Sequence, residues 1–286
     1  MGFARGSSRN IKYFLAGAST MEVYKQVFKL GLIKTFQYRV NFYFGLISVC
    51  FPLLIQVFLW KGLYSSAPGG ILFGYTFSEM MMYAAFACLL AKIISATFIY
   101  EINEDIKNGG LAKYLVRPVN YRLYRFFEYL GEKVCLMLCS ILLLLAIYII
   151  GNYAAHKSFT MVHFIIFLPV VSLATLLNFS IFYAVAGIGF WMRESSGMLF
   201  IISLTGNIIS GGIFPLDIFP GIFRAIFKVL PFQYTNYFSV SVLCGTLSAR
   251  QILAGIILQL LWTIVCSEIG YKVWKAGLKN YTAVGG

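Results

Sequence analysis

Apolar and charged positions divide the chain into long uncharged blocks separated by short charged ones. Residues 40–60 carry no charge, about the 20 apolar residues a helix needs to cross a hydrocarbon core. A second block, 78–100, contains Lys92 well inside it, and a third, 134–151, is built on "CLMLCSILLLLAIYIIG". Thirty-five uncharged residues, 158–192, hold a fourth span at 163–190. A fifth follows "RESSG" at 198–212, and a sixth occupies 251–271. The blocks lack the period-two alternation of barrel strands, so they predict helices. Residues 229–249 are also uncharged, but the "PFQYTN" start and scattered Ser, Gly and Thr argue against a seventh lipid-facing span.

Two shorter patterns lie outside these blocks. In "MEVYKQVFKLGLIKTFQYR", Val23, Val27 and Leu30 share one helical face and Lys25 and Lys29 the other, with Lys34 interrupting the stripe. Residues 20–39 are therefore expected to form a helix in the membrane interface. In "NIISGGIFPLDIFPGIF" (207–223), glycines and prolines interrupt an apolar stretch. A backbone that re-enters a bilayer must satisfy its polar groups against protein, so residues 213–231 predict short re-entrant helices. Asp217 is expected to cap one near 218–229, and Pro231 to end it.

Composition sharpens the class. Hydrophobic residues make up 60% of the 286 and charged residues 12%, against roughly a quarter charged in a soluble domain. The net charge of +13 does not form a nucleic-acid surface, because the basic residues flank the apolar spans. Seventeen of the 23 Lys and Arg fall in the tail before residue 40, the loop 101–133, the turn at Arg193 and the C-terminal tail. The positive-inside rule then places both termini in the cytoplasm. The six cysteines, at 50, 88, 135, 139, 244 and 266, fall mainly inside apolar runs without CxxC spacing and read as small buried hydrophobes. No short apolar core with a small-residue cleavage site stands near the start, so no cleaved signal peptide is expected. His156 and His163 flank an outer loop without a carboxylate or thiol nearby, and no metal site is expected. An intramembrane enzyme would need a nucleophile with its base, a metal cluster or paired carboxylates at depth, and neither H-E-x-x-H nor G-x-S-x-G occurs.

The most charged segment is "YEINEDIKNGGLAKYLVRPVNYRLYRFFEYLGEK", from Tyr100 to Lys133. Gly109-Gly110 breaks the helix leaving the second span and Arg117-Pro118 stops the next segment. A short helix standing off the membrane results. Within it, "EINEDIKNGGLAKYLVRPVNY" resembles the cytoplasmic loop after the second span of ABC-2-type transporter permeases, in a branch reading roughly I-x-x-G-x-L-x-x-x-L-x-x-P. "SGGIFPLDIFPGIFRAIFKVLPFQYTNY" is similar to that family's SG-x-x-F-P-x-x-x-x-P segment between spans five and six, with Pro215, Pro220 and Pro231 in the corresponding places.

The resemblance implies one membrane domain over 1–286, half of a permease homo- or heterodimer embedded in lipid, driven by two separate ABC ATPase subunits that bind ATP and Mg. This chain has no G-x-x-x-x-G-K-[ST] and is not expected to hydrolyse ATP or hold a cofactor. The coupling loop would be 101–127. Its contact set for the ATPase would be Glu101, Glu104, Asp105, Ile106, Lys107, Gly109, Gly110 and Leu111, with Ile106 and Leu111 as apolar anchors and Glu104, Asp105 and Lys107 at the rim. An extracellular gate would involve Gly211, Gly212, Phe214, Pro215, Asp217 and Pro220. Polar residues inside the spans, namely Lys92, Asn178, Asn207 and Ser210, are pathway candidates, although interhelical hydrogen bonding is the alternative role for the last three. Family habit points to export. A self-contained secondary transporter or channel is the competing reading, which calls for internal repeats and broken helices.

Overall fold

The structure, a computed structural model, describes residues 20–37, 44, 45, 47–117, 119–154, 161–192 and 194–281. The N-terminal tail with its basic residues, the start of the first expected span (40–43 and 46), Pro118, His156 and Arg193 lie outside the described residues.

The chain is nearly all helical. Helix α1 (Thr20–Gln37) is followed by α2 (Cys50–Ser65) and a two-stranded hairpin, β1 (Ile71–Leu72) with β2 (Tyr75–Thr76). Then come α3 (Phe77–Ile94), α4 (Phe98–Lys107), the single turn α5 (Ala112–Leu115), α6 (Tyr121–Ala154) and α7 (Met161–Ala186). Helix α8 (Ser196–Ile209) leads into α9 (Gly221–Val229), α10 (Tyr237–Leu243) and the C-terminal α11 (Ala249–Asn280).

Four helical stretches are long and apolar enough to cross a membrane: Phe77–Lys107, Tyr121–Ile150, Met161–Phe190 and Ala249–Asn280. The other two expected spans correspond to shorter helices. With 16 and 14 residues, α2 and α8 rise only about 24 and 21 Å, against a core of about 30 Å. The inner pair is Phe77–Lys107 and Met161–Phe190, each with 61% of its most apolar window buried, whereas Tyr121–Ile150 and Ala249–Asn280 bury 28% and 22%. The last two therefore present most of their apolar surface outward.

Helix starts follow local sequence. Thr76 accepts from the Glu79 amide and Glu79 reaches back to the Thr76 amide, a capping box that opens α3. Ser248 and Gln251 do the same for α11. Both pairs satisfy amides that a helix start leaves free.

Small residues set the closest helix contacts. A Cβ on Gly131 of α6 would collide with the Phe28 carbonyl of α1, and one on Gly31 with the Glu128 carbonyl. Gly255 and Gly277 of α11 likewise make room for the rings of Phe238 and Phe190. Val23 and Val27 of α1 are buried in the protein, while Lys25 and Lys29 are exposed. The apolar face of α1 is thus spent on α6.

Two elements were not expected from sequence. The hairpin at 71–76 lies between the first and second expected spans, directly after "SSAPGG" (65–70). Helix α10, whose Phe238, Ser239, Val240, Ser241, Val242 and Leu243 are all buried, lies within the uncharged stretch 229–249 and packs on α7 and α3.

Candidate functional site

The charged segment 101–133 folds around one guanidinium. Arg125 of α6 is only 6% exposed. Its Nη1 donates to Glu101 and to Glu128, both at 2.7 Å, and its Nη2 to Asp105 at 2.5 Å. Its Nε donates to the Tyr121 hydroxyl at 3.1 Å, and that hydroxyl donates to Asp105 at 2.8 Å. Lys34 of α1 adds a second cation, with Nζ 2.7 Å from Glu128, 3.0 Å from Glu132 and 3.8 Å from Glu101. Oxygens of Glu101, Glu128 and Glu132 lie within 4.8 Å of one another, and the Lys34 ammonium and the Arg125 guanidinium pair with them. Burial works against the charge on Lys34, but the hydrogen bond it donates to Glu128 and the charges of Glu128, Glu132 and Glu101 outweigh it and raise its pKa above the ordinary lysine value. Lys34, which interrupts the apolar stripe of α1, is the residue that ties α1 into the cluster.

The expected contact set of the loop is therefore divided. Glu101 and Asp105 are engaged inside the chain, and Lys107 reaches Glu194 at 3.3 Å. Ile106 and Leu111, expected to be apolar anchors for a partner, are 7% and 0% exposed and belong to this chain's own core. Glu104 remains exposed. Gly109 ends α4 with φ 70°, a conformation that favours glycine, and the Leu111 amide reaches back to the Asp105 carbonyl at 2.9 Å. A Cβ on Gly110 would come 2.7 Å from the Asp105 carboxylate. The apolar side chains the loop does expose lie further on: Leu115 is 50% and Val116 84% exposed, flanked by exposed Lys113 and Arg117. Burial raises the Tyr114 pKa, so this phenol stays neutral where it packs on Tyr121 and Tyr124 at 4.9 Å.

An aromatic stack continues inward from the loop. Phe98 lies 4.8 Å from Phe179, Phe179 5.7 Å from Tyr183, and Tyr183 stacks on Trp274 at 4.6 Å and 9°. Tyr121 closes on Trp274 at 5.3 Å. Helices α4, α6, α7 and α11 are thus in direct contact at one end of the molecule.

Beyond that stack lies a cleft of about 280 Å³ between α3, α7, α8 and the turn at Pro231–Tyr234. It contains three of the four polar residues singled out in the spans: Asn178, Asn207 and Ser210. Lys92 does not join them; its ammonium bonds to Ser48 Oγ at 3.2 Å, on the side facing α2. The cleft sits against the break between α3 and α4 at residues 95–97. There the Ile94 carbonyl, left without a helical partner, accepts from the Asn178 amide and from the Tyr129 hydroxyl. Ser210 bonds to the Asn207 carbonyl at 2.8 Å. The Asn207 carboxamide makes no hydrogen bond among the described residues. Phe182, Phe200 and Phe232 supply much of the apolar wall. No side chain lining the cleft carries a charge at neutral pH.

The interrupted stretch after α8 forms a compact turn. Gly211, with φ 80°, is closed in by Tyr237 and by Tyr83, whose hydroxyl donates to the Gly211 carbonyl at 2.7 Å. A Cβ on Gly212 would collide with the Asn207 carboxamide oxygen. Pro215 precedes a 3-10 turn, Leu216–Ile218, and Pro220 directly precedes α9. Asp217 does not cap α9, which starts at Gly221 without a side-chain cap. Its carboxylate instead accepts from Tyr75 at 2.8 Å and Tyr237 at 2.6 Å and pairs with Arg224. Burial and the neighbouring Asp217 charge raise the Tyr75 pKa, and burial and the bond to Asp217 raise that of Tyr237, so both phenols remain donors. Phe214 meets Trp60 edge to face at 6.1 Å. The hairpin, α2, α10 and this segment are thereby fastened together.

Apolar helices of membrane length, with a charged loop after Phe77–Lys107 and a Gly/Pro-interrupted segment before Ala249–Asn280, mark a multi-pass membrane protein. The family model described as ABC-2 family transporter protein matches residues 50–285, and the chain belongs to that family. No curated protein and no solved structure matches the chain.

Proposed function

We propose that the chain is the membrane-spanning subunit of an ATP-driven exporter. Two permeases, this chain with a copy or a related chain, enclose the pathway, and two separate ATPase subunits bind ATP and Mg on the cytoplasmic side, where both termini lie. Helix α1 lies in the cytoplasmic interface and completes the docking platform.

The observation that carries this proposal is the Arg125 cluster. It joins α1, α4 and α6 through buried or half-buried ion pairs at one end of the molecule, and the Tyr183–Trp274 stack adds α7 and α11. A push on the loop is then shared by five helices. In this proposal the ATPase grips the exposed turn from Lys113 to Arg117, with Leu115 and Val116 entering an apolar pocket and the flanking cations meeting acidic rim residues. Glu104, exposed on the same loop, adds a charged contact at the rim.

The cleft containing Asn178, Asn207 and Ser210 is the substrate-facing wall of each half. Its aromatic and amide lining suits an uncharged or amphipathic substrate. The segment 211–220 closes the outer end, and Gly211 and Gly212 act as the bend on which it is hung.

Purification from the native host tests the proposal. A co-purifying ATPase that is lost with Val116→Asp but retained with Asn207→Leu, while Asn207→Leu abolishes transport, supports it. Transport by the purified chain alone, without nucleotide, overturns it in favour of a self-contained transporter.

A further inference from the structure

At the end of the molecule away from the Arg125 cluster, a pocket of about 130 Å³ opens between the hairpin, α3, the end of α6 and the end of α10. Gly74 and Thr246 are exposed at its rim, Glu79 and Met82 are half-buried, and Tyr83, Tyr148 and Ser241 are buried. We infer that this pocket binds a primary ammonium group, carried by a free amine or by a lipid headgroup.

Charge is the first reason. Glu79 is the only charged side chain among the described residues that line the pocket. Its Oε2 accepts from the Thr76 amide and the Thr76 hydroxyl, both at 3.0 Å, which fixes the carboxylate on the first turn of α3. Asp217 lies behind Tyr75 and has its own cation in Arg224, so the charge the pocket presents is that of Glu79. A half-buried carboxylate with apolar walls favours a cation as its neighbour and opposes an anion.

The second reason is where the hydroxyl protons go. Tyr75 donates to Asp217 at 2.8 Å, Tyr83 to the Gly211 carbonyl at 2.7 Å and Thr246 to the Ser241 carbonyl at 3.1 Å. With those protons committed inside the chain, these three oxygens can offer a ligand only lone pairs. Acceptors beside a carboxylate call for a ligand that donates, and an –NH3⁺ group carries three donors.

The walls supply the rest. Tyr75, Tyr83, Tyr148 and Met82 surround the space, and a cation within about 6 Å of a ring face is attracted by it. The two buried rings are held in place before any ligand arrives: Tyr83 lies 6.3 Å from Tyr237, and Tyr148 6.4 Å from Phe86 and 6.3 Å from Phe164. Walls fixed in advance lower the ordering cost of binding. A quaternary ammonium would use the rings but has no proton for the acceptors, and an inorganic cation would leave the rings and the thioether without a role.

The test titrates butylammonium calorimetrically into the full chain with its partners in detergent. Saturable binding is expected, at least about tenfold tighter than that of tetramethylammonium or butanol, which lack the N–H donors or the charge. Glu79→Gln keeps the capping box, since glutamine serves at that position as glutamate does, and should weaken binding by a similar factor without lowering the unfolding temperature of the free protein. Met82→Trp, which fills the pocket, should abolish binding, and Glu268→Gln, exposed on α11, should leave it unchanged. Nanodiscs distinguish the two sources. A weaker apparent affinity for butylammonium in phosphatidylethanolamine than in phosphatidylcholine assigns the pocket to the lipid headgroup, and equal affinities assign it to a free amine. Binding that survives both Glu79→Gln and Met82→Trp would overturn the proposal, as would equal affinity for tetramethylammonium or equal competition by sodium. Binding seen only in Lys157→Met would do the same, by showing that a lysine of the chain itself serves the pocket.

Discussion

Gly31 and Gly131 face each other where α1 crosses α6, so closely that a Cβ on Gly31 would come 3.1 Å from the Gly131 Cα. The same crossing brings Lys34 onto Glu128 and Glu132. The glycine contact and the ion pairs thus belong to one helix crossing.

Gly131→Leu should therefore part the two helices. Overpacking of a tight contact costs about 1–3 kcal/mol, and here the obstacle is backbone, the Phe28 carbonyl, which cannot rotate away. The expected outcome is a lowered unfolding temperature together with protease cleavage within α1. Gly62→Leu, where a Cβ would meet nothing within 4 Å, is the matched control and should be silent.

Arg125 holds three carboxylates at once, and its removal leaves them facing one another. Breaking a buried pair by removing one partner typically costs about 3–5 kcal/mol. Arg125→Met should approach that range when unfolding is followed in detergent at neutral pH. Arg125→Lys should recover only part of the loss, since an ammonium cannot reproduce the fork that spans Glu101, Glu128 and Asp105. In the proposed transporter, basal ATPase activity of the complex should survive Arg125→Lys while its stimulation by substrate falls, since a loop that docks without the guanidinium fork would no longer move α1 and α6 together.

The pH dependence of the cluster follows from Lys34. Its pKa is raised in the folded protein above the ordinary 10.5, so the folded state holds its proton more tightly than the unfolded chain. The stabilisation is fully present below about pH 10.5 and is lost as pH rises through the folded value. Lys34 keeps 41% of its side chain exposed, and solvent screening limits the contribution to roughly 1 kcal/mol. The difference in unfolding temperature between the natural chain and Lys34→Met should be constant from pH 7 to about 10 and shrink only above that.

What could be read from the sequence was local. Uncharged blocks located the apolar helices, Gly109 and Gly110 marked the end of α4, and Pro231 the end of the α9 region, because each signal acts within a few residues. Side-chain partnerships were not legible. Asp217 looks like a cap beside its own helix, but Tyr75, 142 positions away, and Tyr237 take the carboxylate. Ile106 and Leu111 lie on either side of the Gly109-Gly110 break, and no periodicity identifies the surface that covers them; it is this chain's own core. Depth alone groups Lys92 with Asn178, although Lys92 bonds to Ser48 and Asn178 to the Ile94 carbonyl. The hairpin had a usable signal, a glycine ending a two-residue turn and a Thr-x-x-Glu box after it, hidden by the unusual Phe73. Helix α10 had none, because a helix buried on every side shows no stripe.

Asn178 and Asn207 share a cleft but differ in what they contact, and that difference separates structure from transport. Asn178 supports the Ile94 carbonyl at the break between α3 and α4. Asn178→Leu leaves that carbonyl with only the Tyr129 hydroxyl at 3.3 Å, so the variant should lose about 1–3 kcal/mol and show faster amide exchange at residues 95–97. Asn207 has no side-chain partner to lose, and Asn207→Leu should stay within about 0.5 kcal/mol of the natural chain while abolishing substrate-stimulated ATP hydrolysis. Gly212→Ala provides the independent check. Its new methyl group displaces the Asn207 carboxamide without imposing a left-handed residue, so it should reproduce the Asn207→Leu transport defect in a protein whose side chain at 207 is intact. Loss of transport with Asn178→Leu alone, and none with the other two, would make the cleft a structural feature of the helix break and move the pathway elsewhere.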